Sequence, residues 1–177
     1  MVARPNIKTA IVIPVFNRRE ITLRCLEKLF SGAMLDASVI VVDSGSTDGT
    51  QQAIREKYAQ VILLQADPSA WWTAATNAGV RWALDAGCQY LMTYNDDNQA
   101  SLDALHKLVT VADKNPASIV AATICELQSP DTVIFAGRRR SRFTDRFIYM
   151  NHYQSYARMD KGLREVDLLH GKCTLFP

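Results

Sequence analysis

The sequence predicts an α/β fold in which a mostly parallel central sheet carries helices on both faces. Three observations lead there. Five short apolar runs are β-rich and continuous, not alternating, as strands covered on both sides are. Segments with helical spacing separate them. The polar clusters suited to chemistry fall directly after strands, where ligands bind in parallel sheets.

The first strand is TAIVIPV (9–15), closing on the turn PVFN. Leu23, Leu26, Leu29 and Phe30 mark one face of the helix that follows, with Asn17 as its N-cap and Glu20 as the partner three residues on. SVIVVD (38–43) is the second strand, and the loop DSGSTDG after it supplies Asp48 as N-cap of a second helix, with Gln51 as partner. VILLQ (61–65) is the third strand. A helix over residues 72–86 should stop at Gly87, since glycine takes the left-handed conformation that ends helices. YLMTYN (90–95) runs into NDDN, and Leu102, Leu105, Leu108, Val109 and Ala112 mark a fourth helix. SIVAATI (118–124) is the fifth strand. This alternation predicts right-handed crossovers. Beyond residue 125 the pattern loosens into a basic loop, GRRRSRF (137–143), a polar aromatic stretch, and a last apolar segment, VDLLHGKCTLFP.

At 177 residues the chain can bury one sizeable core, so a single domain is expected. A net charge of +2 gives no case for a nucleic-acid partner. Cys25, Cys88, Cys125 and Cys173 form no CxxC pair, which argues against a zinc knuckle or a disulfide framework. No apolar run reaches membrane-spanning length and MVARPNIKTA lacks the apolar core of a signal peptide, so a cytoplasmic location is expected.

Paired acids need a cause. Asp43 and Asp48 bracket one loop, while Asp96 and Asp97 sit side by side, where mutual repulsion must be offset by a cation or by donors. For NDDN the sharper reading is a divalent-metal site with carboxylate ligands and room for phosphate oxygens and water. The plainer one is an exposed turn favoured by the dipole of the following helix. DSGSTDGT is a tight glycine turn. It lacks GK[ST], it is not GxGxxG, and Ile54 stands where an EF-hand wants Glu. His106 reads as a surface residue of the fourth helix, and His152 and His170 show no metal-ligand spacing. Trp71 and Trp72 suit either stacking on a sugar or packing at a rim. Arg138, Arg139, Arg140 and Arg142 are either a solvated loop or a guide for diphosphate or an anionic lipid-linked acceptor.

IVIPVFNRRE, VIVVDSGSTDGT, TNAGVRWAL and YLMTYNDDN stand in the order and spacing of the family-2 glycosyltransferases, nucleotide-sugar-dependent enzymes of GT-A fold, which the chain resembles over residues 8–110. The Trp pair is similar to the rhamnosyltransferase-like branch. The resemblance implies a donor site in which Pro14, Val15, Phe16 and Asn17 hold base and ribose and Asp43 and Ser44 lie at base or ribose. It further implies that Asn77 braces the site, that Asn95, Asp96 and Asp97 occupy the DxD position, and that Asp97 ligates Mn or Mg. Ser44 stands where the family often has a second acid, and Asn95 where it often has the first. The implied reaction moves a sugar, with inversion, from a nucleotide-sugar donor to a saccharide or lipid-linked acceptor. Residues 1–125 would form the nucleotide-sugar-binding part of one GT-A-type domain spanning 1–177, and 126–177 the start of an incomplete acceptor part. The general base is then expected beyond Pro177, with Asp167 the first candidate if it lies within the chain. Peripheral membrane association and homo-oligomer formation stay open. Rival readings are a sugar-nucleotide nucleotidyltransferase, which would want a Gly-rich phosphate loop where PVFNRRE stands, and a non-catalytic nucleotide-binding module.

Overall fold

The computed structural model describes residues 8–31, 37–100 and 102–177; the readings made on residues 1–7 and on the Leu102 side chain fall outside them. The chain runs β1 (Thr9–Val15), α1 (Arg19–Phe30), β2 (Ala37–Asp43), α2 (Thr50–Lys57), β3 (Ile62–Gln65), α3 (Trp72–Asp85), β4 (Tyr90–Tyr94) and α4 (Leu102–Lys114). Short strands follow: β5 (Val120–Ala121), β6 (Ile124–Cys125), β7 (Val133–Phe135), β8 (Arg138–Arg140), β9 (Phe147–Tyr149) and β10 (Cys173–Phe176).

The main sheet has the order β3-β2-β1-β4-β10-β5, with β3, β2, β1 and β4 parallel. Alternate residues of its central strands feed two cores, which is why these strands read as unbroken apolar runs. Ile11, Ile13, Val39, Val41 and Met92 pack with Leu26, Ile54 and Leu105 of α1, α2 and α4. Ala10, Val12, Ile40 and Val42 pack with Ala75 and Ala83 of α3. Here α3 lies very close to the sheet: a Cβ on Gly79 would stand 2.4 Å from Val12 Cγ1 and 3.0 Å from Val42 Cγ2.

Several expectations change. Residues 118–124 are not one strand: β5 and β6 belong to different sheets, because β5 pairs with β10 and β6 turns away to pair with β7. The last apolar segment forms a strand only over β10, which enters antiparallel between β4 and β5. Asn17 does not cap α1; Arg18 holds that position and Asn17 has φ 51°, turned toward another loop. Gly49, with φ 81°, is the N-cap of α2, and Asp48 acts from one position before it. Gly87 ends the third helix as expected. Its φ is 74°, its N–H donates to Leu84 O at 3.0 Å, and the Cys88 N–H donates to Ala83 O at 3.1 Å.

Candidate functional site

The loop after β2 is built around one carboxylate. Asp43 is 0% exposed, and its Oδ2 accepts the N–H groups of Gly45 (3.1 Å) and Ser46 (2.9 Å) and Nε2 of Gln51 (2.6 Å). Its Oδ1 accepts the Ser46 hydroxyl. Gln51 thus serves Asp43 and does not reach back to cap α2. Gly45, at φ 79°, lies so near Pro68 that a Cβ would come within 2.9 Å of its Cγ. A buried strand end can hold so polar a loop only by satisfying its donors, and Asp43 does that.

This loop is zipped to the turn after β1. The Ser44 N–H donates to Val15 O at 3.0 Å, tying the two strand ends. The Asn17 N–H donates to Ser46 Oγ at 2.8 Å, and Asn17 Oδ1 accepts the Thr47 N–H at 2.7 Å. Asp48 Oδ2 accepts the Arg19 N–H at 2.9 Å, while its Oδ1 accepts the Thr50 N–H at 3.0 Å and hydroxyl at 2.5 Å. Pro14 and Val15 are buried beneath, and Phe16 stands out of the turn at 52% exposure.

The acid turn after β4 joins the same assembly through Arg18. Asp96 is 4% exposed; Arg18 Nη1 lies 3.3 Å from its Oδ1 and the Thr22 hydroxyl donates to its Oδ2 at 3.2 Å. Burial raises the Asp96 carboxyl above its ordinary value, against the pull of Arg18 and Thr22. Asp97 points the other way: its side chain is 37% exposed, with Lys172 Nζ 3.3 Å from Oδ2. Lys172 also closes the turn with its backbone, since its carbonyl accepts the Asn95 N–H at 3.1 Å and Asn98 Nδ2 at 2.5 Å. Asn95 Oδ1 accepts Trp72 Nε1 at 3.2 Å. Asn77 is exposed on α3, and among the described residues the side chain seen bracing Asn95 is Trp72. Below the turn, burial first and then the charges of Asp96 and Asp97 push the Cys25 thiol up to about 12, so it is no nucleophile.

The structure therefore brings together Pro14, Val15, Phe16, Asn17, Asp43, Ser44, Asp96 and Asp97 at adjacent strand ends. Sequence reasoning missed Arg18, Thr22, Trp72 and Lys172 as their partners. Arg18 was legible as a cation one residue past the first turn. Lys172 carried no local signal, because it is 75 residues from Asp97 and arrives only through the β4–β10 pairing.

The sequence profile described as glycosyl transferase family 2 matches residues 10–177. The chain belongs to this family. Its fold is similar to that of the mannosyltransferase PcManGT from Pyrobaculum calidifontis, solved in complex with GDP-Man and Mn2+, at 16% identity and TM-score 0.59, covering 96% of this chain and 44% of that one. It is similar also to S. aureus TarS 1–349, at 15% identity and TM-score 0.53, covering 73% and 42%. In the TarS structure with UDP-GlcNAc the values are 19% and 0.52, covering 66% and 34%. At such identities the likeness shows the fold, that of the GT-A glycosyltransferases. The chain spans less than half the length of these solved structures. No helix among the described residues is long and apolar enough to cross a membrane.

Proposed function

We propose that the chain binds a nucleoside-diphosphate sugar across the ends of β1, β2 and β4 and serves inverting transfer of the sugar to an acceptor hydroxyl. The observation that carries this reading is the single hydrogen-bonded unit formed there by the Asp43 loop, the Phe16–Arg19 turn and the Asp96–Asp97 turn. The known complexes of similar folds with GDP-Man and UDP-GlcNAc support it. Among the described residues, those up to 125 serve the donor and those from 126 onward serve the acceptor side.

Phe16 offers its ring to the base, above Pro14 and Val15. Asp43, fully buried, serves the nucleotide through the Gly45–Ser46 turn it holds, with Ser44 and Asn17 keeping that turn against β1. Asn77 remains a bracing candidate on α3, behind Trp72. Asp96 is occupied by Arg18 and Thr22, which leaves Asp97 as the partly exposed oxygen donor. Among the described residues no three His, Cys, Asp or Glu gather as a metal cage. That set fits a Mg or Mn ion held by one carboxylate, with substrate phosphates and water completing the shell. Such an ion would stabilise negative charge on the departing diphosphate. Arg18, paired with Asp96, and Lys172, paired with Asp97, keep a cation beside each acid of the turn.

The acceptor is proposed to be a saccharide or lipid-linked hydroxyl. A cavity of about 770 Å³ lies next to Gly171, lined by Asn115, Ser118, Glu165, Asp167 and His170 among others. Asp167, in that lining, is the candidate general base within the chain. Calorimetry with UDP, dTDP and GDP, each with Mn2+ or Mg2+, tests the donor reading: one of them binds with metal dependence. A folded sample that takes none of them overturns it.

A further inference from the structure

Between Arg138 and Arg146 the chain carries five arginines against one aspartate, although its net charge is only +2. The aspartate, Asp145, is already held by Arg140 at 2.5 Å. Arg138 lies over the Tyr149 ring, its guanidinium carbon 3.8 Å from the ring centre, and donates to the Tyr149 hydroxyl. Arg139, Arg142 and Arg146 are exposed and have no ion pair among the described residues.

The same hairpin exposes apolar side chains: Phe143 at 98%, Ile148 at 57% and Phe147 at 45%. Arg139 stands opposite Ile148 in the β8–β9 ladder, so cation and apolar group share one face, while Arg138 and Tyr149 share the other. The inner face is anchored, with Phe135 and Tyr149 meeting edge to face at 6.3 Å. Single exposed apolar residues are ordinary, but Phe143 and Ile148 set among the unpaired guanidinium groups of Arg139 and Arg142 mark an interface.

We infer that the β8–β9 hairpin seats on an anionic phospholipid bilayer, with Phe143 leading. Charge complementarity selects that occupant. Arginines near an anionic leaflet are attracted to its phosphates, and aromatic or branched side chains between them enter the boundary of the acyl region. A nucleic acid would match the charge and could stack on Phe143, but the branched Ile148 beside Arg139 gives a base no ring and suits the acyl boundary of a bilayer. The hairpin is also tied to the segment that leads to the donor site. Asp167 Oδ2 accepts the Arg140 N–H at 2.8 Å and Leu168 bridges to Arg138, and the same segment continues to Lys172 beside Asp97. The seating itself needs no nucleotide and stands apart from the transfer reading.

The test is co-sedimentation of the 177-residue chain with vesicles of phosphatidylcholine alone, or with roughly a third phosphatidylglycerol, in the absence of nucleotide. Partition onto the anionic vesicles is expected to be at least about tenfold stronger and to weaken with salt. Arg139→Glu with Arg142→Glu lowers it by about thirtyfold. Phe143→Ser with Ile148→Ser lowers it by about tenfold at unchanged charge. Both pairs should melt as the unaltered chain does, since all four side chains are exposed. No partition, equal partition on both vesicles, or full partition by either pair overturns the proposal. So does a single-stranded RNA that binds more tightly than the vesicles and strips the protein from them.

Discussion

Asp48 joins two helices at their starts, accepting the first free N–H of α1 through Arg19 and the first of α2 through Thr50. The Thr50 hydroxyl first, then the backbone N–H groups, hold its carboxyl below the ordinary 3.8. A depressed carboxylate stabilises the fold above its unfolded pKa, and that contribution disappears as the pH falls through the folded value. Asp48→Ala is expected to cost about 1 kcal/mol at neutral pH, with the gap to the unaltered chain closing as the pH drops below 3.8. Thermal melts across that range check it; a gap that stays constant would mean that charge plays no part. The two site acids should divide differently. Asp97→Ala is expected to weaken nucleotide binding only when Mn2+ or Mg2+ is present. Asp43→Ala should weaken it with or without metal, by leaving the donors of Gly45, Ser46 and Gln51 unpaired at about 1–3 kcal/mol. Calorimetry on both variants, with and without metal, distinguishes these outcomes. At this scale the sequence singled out the acids but not what each one holds. Asp43 and Asp48 stood out beside glycines, whereas the positive φ of Asn17, which sends its amide to Thr47, has no trace in a window reading NRRE.

Strands β1, β2 and β4 were legible because burial on both faces demands unbroken β-branched and aromatic runs. The third helix was legible at its end, since Gly87 alone there tolerates a left-handed backbone. The β5–β10 edge was not, because β10 pairs with β4 across nearly half the chain and local patterning carries no register for such a contact. Another long-range fact hid in the TNAG stretch. Gly79 is there because α3 comes so close to β1 and β2 that a methyl group would meet Val12 at 2.4 Å. Gly79→Ala gains helix propensity but forces α3 outward, and the overpacking should dominate at about 1–3 kcal/mol net loss. Combining it with Val12→Ala should recover part of that loss, because the clash falls on the Val12 Cγ1 methyl. Urea unfolding of the single and double variants measures the coupling, and purely additive costs would place the strain elsewhere.

For the molecule as a whole, the donor reading makes binding and folding one equilibrium. Three loops on separate strands converge at the carboxyl ends of the sheet, held by Asn17 to Ser46 and Thr47, by Arg18 to Asp96 and by Lys172 to Asp97. A ligand that bridges all three binds only the folded chain. At about a hundredfold excess over its Kd it adds about 2.7 kcal/mol to stability, which for a chain of this length raises Tm by roughly 5–10 °C. The shift should separate into two parts. Phe16→Ala removes the part present without metal, because its ring stands free at 52% exposure and its loss disturbs no core. Asp97→Ala removes the increment that Mn2+ adds and leaves the rest. The Arg139→Glu, Arg142→Glu pair keeps the whole shift, because the bonds that tie the hairpin to the segment before Lys172 are made by Arg138 and Arg140 with Asp167 and Leu168 and not by the two altered side chains. A ligand-induced shift in Tm that survives both Phe16→Ala and Asp97→Ala would place the nucleotide away from these strand ends. One that the hairpin pair abolishes would make the arginines diphosphate ligands and not membrane contacts.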